Sequence, residues 1–200
     1  IPVTYNAESG VHTLALSCGS FSQQLELTVT SAQTSTVTVE EDTRTGAEEY
    51  RNNIWPLFTT GSAEKQWQGA FRAPSAAAVR MHYGDVQMVN GARAGQATGV
   101  AYSPAPDETV TAPQTGKVLF AGTLQLTGGT VVIDHGCGVK SYLYGLKTLA
   151  VQAGQSVQTG DALGTADALG VDYELRIGSK TVDPEAAMTG RGGLQFREYE

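Results

Sequence analysis

An all-β protein is what this sequence predicts, on three observations. From about Trp67 onward, glycine interrupts short apolar runs every eight to twelve residues, the punctuation of a sandwich or barrel. Earlier in the chain, residues 11–17 and 25–29 alternate apolar and polar side chains, which buries one face of a strand. No long helical periodicity interrupts either region. Composition agrees with a globular, turn-rich chain: 40% hydrophobic and 16% charged residues, with 24 glycines and 7 prolines among 200 residues, exclude a coiled coil or an acidic disordered tail. Twenty acidic against 13 basic residues leave a net charge of -7. That charge repels phosphate backbones and anionic lipids, so nucleic acid is not an expected partner.

Taken in order, residues 1–31 read as the last hairpin of a small β-sandwich, turning at Cys18-Gly19-Ser20-Phe21-Ser22. A lone hairpin is marginal in water, so this one needs a surface to pack on. Residues 32–66 read as a connector, with 31–36 linker-like and 45–54 a short helix that Pro56 ends or kinks. Residues 67–200 form the main domain, with strands expected at 109–112, 117–121, 130–134, 141–144 and 173–177. Ile1-Pro2-Val3-Thr4 lacks the features of a signal peptide, and no window holds 18 consecutive apolar residues, so no membrane span is expected within the chain. Cys18 and Cys137 lie 119 positions apart without C-x-x-C spacing and read as free thiols.

One internal echo organises the main domain. Val110-Thr111-Ala112-Pro113-Gln114-Thr115-Gly116-Lys117-Val118 returns in altered form as Val151-Gln152-Ala153-Gly154-Gln155-Ser156-Val157-Gln158-Thr159-Gly160-Asp161-Ala162-Leu163-Gly164. Around it stand Trp67-x-Gly69-x-Phe71-x-x-Pro74, Tyr83-Gly84 with Asn90-Gly91, Val131-Val132-Ile133-Asp134-His135-Gly136, and Glu174 followed by Asp183-Pro184. In this order the stretches resemble the LytM or lysostaphin type of zinc peptidase, which cleaves peptide cross-links in bacterial cell walls. The likeness spans roughly residues 67–187. It implies a lysostaphin/LytM-like β-barrel-sandwich with a duplicated hybrid motif. The N-terminal β-hairpin is similar to part of the immunoglobulin-like module that can precede that domain.

The same resemblance locates a site. The family holds zinc through the histidine and aspartate of His-x-x-x-Asp and the second histidine of His-x-His. The first histidine of His-x-His and one in Tyr-x-His-Leu assist the chemistry. Matched residue by residue, the first motif falls on Ala97-Thr98-Gly99-Val100-Ala101, His-x-His on Gly170-Val171-Asp172, and Tyr-x-His-Leu on Leu143-Tyr144-Gly145-Leu146. Ala97, Ala101, Gly145, Gly170 and Asp172 thus stand at the five positions, and only Asp172 has a ligand atom. Catalytic zinc needs about three protein ligands. The three histidines, His12, His82 and His135, form neither motif. The expectation is therefore no metal, no cofactor and no catalysis: a pseudo-enzyme of the zinc metalloendopeptidase family.

Other constellations carry less. His82 and Asp85 are two ligand types in one turn. Asp134 and His135 are strand neighbours and so point to opposite faces. Cys137 beside His135 reads as a hairpin turn between glycines. Asp172 and Glu174 share a strand face, which leaves paired-carboxylate chemistry geometrically open. Gly128-Gly129-Thr130 lacks the lysine and helix of a phosphate loop, and Asp161-Ala162-Leu163-Gly164 lacks the lysine of a lipoyl or biotinyl carrier. With catalysis removed, a groove remains, and Tyr83, Tyr102, Tyr144, Asp172 and Tyr173 are the residues expected to line it. The resemblance implies peptidoglycan, a cell-wall amidase or another envelope protein as partner, and a bacterial envelope or extracellular location. The connector can lie across the groove, with Trp55 and Trp67 as the residues to look for. A purely structural envelope module and an endopeptidase with an unrecognised site are the alternatives.

Overall fold

A computed structural model describes residues 3–30, 34–190 and 194. Ile1 and Pro2, linker positions 31–33 and the end of the 67–200 segment other than Leu194 lie outside them. The first strands are β1 (Gly10–Cys18), β2 (Phe21–Val29) and β3 (Thr36–Thr38), followed by helix α1 (Ala47–Ile54), which continues into a 3-10 turn at Trp55–Phe58. Next come β4 (Val79–Met81), β5 (Val86–Val89), β6 (Ala92–Gln96), β7 (Val100–Tyr102), β8 (Thr109–Thr111), β9 (Gly116–Leu124), β10 (Gly128–Gly136) and β11 (Val139–Leu149). The last elements are β12 (Ser156–Val157), β13 (Ala162–Ala166), β14 (Val171–Ile177), β15 (Lys180–Val182) and helix α2 (Pro184–Met188). Pro56 sits at the start of the 3-10 turn, where its missing N–H costs nothing. Asp183 caps α2 by accepting from the Glu185 amide at 2.9 Å. Among the described residues no helix is long and apolar enough to cross a membrane.

Ten strands form the main sheet, in the order β12-β9-β10-β11-β14-β7-β4, with β13 bridging β11 and β8, and β15 on β14. No pairing among the described residues closes this sheet into a ring, so the barrel-sandwich is open. The echoed segments lie side by side: the Ala112 amide donates to Asp161 O at 2.8 Å and the Gly160 amide to Ala112 O at 2.9 Å. Alternation on β11 explains why that strand is buried on both faces. Val139 and Leu143 join one core with Val100, Val131, Val171, Tyr173 and Leu175, and a register shift beyond Leu143 returns Leu146 to the same core. Tyr142 and Tyr144 point the other way, where Ile54, Tyr50, Leu57 and Phe58 of α1 and its 3-10 extension cover them. The connector helix is thus the lid of a second, smaller core.

Two segments depart from the sequence reading. Residues 34–39 of the connector, linker-like through Thr36 in sequence, are tied into a three-stranded sheet: β3 pairs in parallel with β5, which pairs with β6. The Val86 amide donates to Ser35 O at 2.8 Å and the Ser35 amide to Asp85 Oδ1 at 2.9 Å. The β1–β2 hairpin pairs only with itself. Its register puts Leu14, Leu16, Phe21, Leu25 and Leu27 on one face, and Leu16, Phe21, Leu25 and Leu27 are exposed. The chain ahead of it touches the domain through Tyr5, whose ring meets Tyr83 edge-on at 5.6 Å.

Candidate functional site

Strand register assembles the site. Tyr144 on β11 pairs with Asp172 on β14, Asp172 with Ala101 on β7, and Ala101 with Met81 on β4. Directly opposed residues share a sheet face, so these four side chains form one row across the sheet. With Ala97, Thr98 and Glu174 they line a cavity of about 290 Å³, to whose wall the connector contributes Asp42, Arg44 and Tyr50. The methyl groups of Ala97 and Ala101 do not face open water: they cluster with Met81 under Val37 and Val39.

The charged residues of the cavity wall are each paired, Asp172 and Glu174 with arginines outside the lining. Arg80 Nη2 donates to Asp172 Oδ1 at 2.8 Å. Arg44 forks onto Asp42, Nε to Oδ1 at 2.9 Å and Nη2 to Oδ2 at 2.8 Å. Deeper in, Glu174 accepts from Arg176 at 2.9 and 2.7 Å, from the Thr98 hydroxyl, and from the Tyr144 hydroxyl at 3.4 Å. The Arg176 guanidinium in turn lies over the Phe58 ring at 4.7 Å and Tyr142 at 5.4 Å. Enclosure by the cavity walls pushes the Asp172 carboxyl above its ordinary range, against the opposing pull of Arg80 and Arg44. Burial likewise raises Tyr50, and raises Tyr144 well above the ordinary phenol value, so both hydroxyls stay protonated at neutral pH. They meet at 2.9 Å.

Residues 95–184 match the model of peptidase family M23. Over that stretch the main domain is similar to the M23 peptidases. In overall fold the chain is similar to a Pseudomonas aeruginosa protein assigned to peptidase M23, with 19% identity, a TM-score of 0.69, and coverage of 93% of this chain and 76% of that one. It is also similar to a zinc-containing peptidase from Vibrio cholerae, with 21% identity, a TM-score of 0.53, and coverage of 57% of this chain and 39% of that one. No curated protein matches the chain.

The three positions that the resemblance equates with zinc ligands, Ala97, Ala101 and Asp172, converge on one cavity. The residues present do not fit the metal. Two offer only methyl groups, and the third already holds a guanidinium. Among the described residues no three His, Cys, Asp or Glu side chains gather as a metal site would require. At the two assisting positions the backbone itself differs from what a histidine needs. Gly145 has φ +78, and a Cβ there falls 2.2 Å from Gly170 O; Gly170 has φ +100, and a Cβ there falls 2.6 Å from Tyr102 O.

The structure divides the tyrosines expected along the groove. Tyr144 and Asp172 line the cavity. Tyr102 and Tyr173 do not: both are buried in the main core, because on β7 and β14 they alternate with Ala101 and Asp172 and so face inward. Tyr83 also lies elsewhere, donating to Thr181 O at 2.9 Å beneath Tyr5. The connector contributes Asp42, Arg44 and Tyr50 to the cavity wall, whereas Trp55 is exposed beside Arg51, and Trp67 is a core residue donating to Leu194 O at 2.9 Å.

The remaining candidates have local partners. His82 Nδ1 pairs with Glu185 at 2.7 Å, and Asp85 accepts from the Ser35 and His82 amides. His135 is fully buried between Thr115 O and Ser141 Oγ, each at 2.8 Å, while Asp134 on the other face accepts from the Ser62 amide at 2.6 Å. Cys137 is exposed in a left-handed turn and its thiol faces Ala63 O, away from any imidazole partner of its own. Asp172 and Glu174 are each paired with an arginine, which offsets the charge of the two carboxylates.

Sequence reasoning missed Arg80, Asp42, Arg44 and Tyr50. Arg80 is the extra residue of a β-bulge: β4 pairs Val79 with Tyr102 and Met81 with the adjacent Ala101. A bulge re-aims its side chain, so simple alternation does not predict where Arg80 points. Asp42 and Arg44 carry a local sequence signal, an acid and a base two apart, but only the β3–β5 pairing brings them to the cavity.

Proposed function

We propose that this chain is a non-catalytic member of family M23 that binds the peptide part of bacterial peptidoglycan in the cavity. The observation that carries the reading is the row Tyr144–Asp172–Ala101–Met81, in which the place of a metal-centred site is taken by methyl groups and an arginine–carboxylate pair. Hydrolysis of an amide needs a polarised carbonyl and an activated water. The cavity offers three carboxylates, each paired with a guanidinium, and two protonated phenols, so neither an attacking base nor an electrophile is at hand. Hydrogen bonding and charge recognition are what these groups do well.

A wall peptide suits the cavity better than a wall-hydrolase partner does. Its volume of about 290 Å³ admits a small extended group and not the surface of a folded protein. On this reading the chain acts in the bacterial envelope as a wall-bound regulator or scaffold.

Sedimentation with purified sacculi tests it. The expected result is that the chain pellets with sacculi, that Asp172→Ala reduces the pelleted fraction severalfold, and that no new amino groups appear in the sacculi even with added zinc. Zinc-dependent release of amino groups, abolished by a chelator, would make the chain a peptidase and overturn the proposal.

A further inference from the structure

We infer that the cavity recognises a zwitterionic amino-acid head group, an ammonium and a carboxylate on one carbon, through Asp172 with Arg80 and Arg44; this rests on the wall-peptide reading above and narrows it. The two ion pairs at the cavity are not alike. Asp42 and Arg44 satisfy each other through a two-bond fork, reinforced by the Arg44 amide donating to Asp42 Oδ1 at 3.0 Å. Arg80 and Asp172 share a single bond, Nη2 to Oδ1 at 2.8 Å. Among the described residues, Asp172 Oδ2 and the other guanidinium N–H groups of Arg80 have no protein partner. Their side chains are 47% and 38% exposed, so a ligand reaches both.

Spacing selects the ligand. An acid oxygen and a guanidinium nitrogen 2.8 Å apart present opposite charges at nearly one point. A ligand that matches both must carry its own opposite charges within about 3 Å of each other, which substituents on a single tetrahedral carbon do. A plain dicarboxylate meets Asp42 and Asp172 in the cavity wall, and a plain diamine meets Arg44 in the wall and Arg80 at the rim, where it holds Asp172, so each is repelled by half the site. The zwitterion sets its ammonium on Asp172 and its carboxylate on Arg80, with Arg44, which lines the cavity and acts electrostatically on Asp172, as the second cation. Glu174 takes no part, since Arg176, Thr98 and Tyr144 already occupy it. With Tyr144 donating to Glu174 and Tyr50 donating to Tyr144, the Tyr50 oxygen keeps lone pairs for the ammonium. Within a wall peptide, such a head exists where a diamino dicarboxylic acid carries it at the end of its side chain.

Calorimetric titration of the whole chain with the tripeptide L-alanyl-γ-D-glutamyl-meso-diaminopimelate tests this. Companion titrations use the same tripeptide acetylated at the distal amine, the tripeptide amidated at the distal carboxyl, and free meso-diaminopimelic acid. The parent tripeptide is expected to bind at least tenfold tighter than either blocked form and no weaker than the free acid. Asp172→Asn is expected to lose the preference over the acetylated form, and Arg80→Gln the preference over the amidated form. If one variant fails to fold, the other carries the same comparison. Equal binding of parent and blocked tripeptides overturns the head-group proposal and leaves the wall-peptide reading intact. Binding to sacculi without any binding to the tripeptides does the same. Binding of the free acid alone overturns a wall-borne source, and loss of sacculus and tripeptide binding together overturns the wall-peptide reading itself.

Discussion

Gly145→His and Gly170→His, the substitutions that reinstate the assisting histidines of an M23 peptidase, are each expected to destabilise the domain by about 3 kcal/mol or more. The reason is backbone, not imidazole. Both glycines have left-handed φ, where a side chain costs about 1 to 3 kcal/mol. The added Cβ then meets a carbonyl oxygen at 2.2 Å from position 145 and at 2.6 Å from position 170. Neither segment is free to yield: the Gly145 amide donates to Thr127 O at 3.0 Å and its carbonyl accepts from Asp167 at 3.0 Å, while the Gly170 amide donates to Asp167 O at 3.2 Å. Urea unfolding measures the loss. Gly145→Ala and Gly170→Ala should lose nearly as much, because the first carbon makes the clash. Full stability of the histidine variants would mean that the glycine backbone is adaptable and that the site could regain its chemistry by side-chain exchange alone.

Acid weakens the fold through His135. Burial pushes this imidazole down to about 4, against smaller opposing contributions from its bond to Thr115 O and the charge of Asp134. Thr115 O can only accept, so Nδ1 carries the proton and Nε2 accepts from Ser141 Oγ, which lies 3.2 Å from the Tyr173 hydroxyl. The native state therefore prefers the neutral ring, whereas the unfolded chain takes a proton near pH 6.5. The corresponding stability is complete above pH 6.5 and drains away as pH falls toward about 4, at about 1.4 kcal/mol per pH unit and about 3 kcal/mol in all. His135→Gln, which keeps a donor and an acceptor but has no proton to gain, should be less stable at pH 7.5 and should flatten this slope. A wild-type stability unchanged between pH 6.5 and 4.5 would contradict the buried neutral histidine.

The glycine-punctuated strands and the echoed turns were legible because each rests on local chemistry, on where an L-residue can turn and where one face must be apolar. Strands β8 to β11 and β14 were expected within a few residues of where they lie, and so was helix α1. The gathering of Ala97, Ala101 and Asp172 followed from the family resemblance, and the cross-strand register supplies its physical cause. Side-chain direction at the site was legible in principle but was read by proximity. Val171, Tyr173 and Leu175 alternate with Asp172, Glu174 and Arg176, so one parity decides that Tyr173 is core and Asp172 is site. What the sequence hides is set at long range. Thr36-Val37-Thr38 is too short and too polar to announce a strand, yet its parallel pairing with β5, some fifty residues on, brings Asp42 and Arg44 to the cavity. The bulge that turns Arg80 toward Asp172 likewise exists only once β4 and β7 have paired.

The proposed function requires that the site leave zinc unbound, with a guanidinium on Asp172 in its place. Zinc titration of the purified chain in competition with a chromophoric chelator tests that most directly. The predicted result is that the chelator keeps the zinc, with no stoichiometric equivalent passing to the protein. One zinc per chain held against the chelator, and surrendered when Asp172 is replaced by alanine, would contradict it.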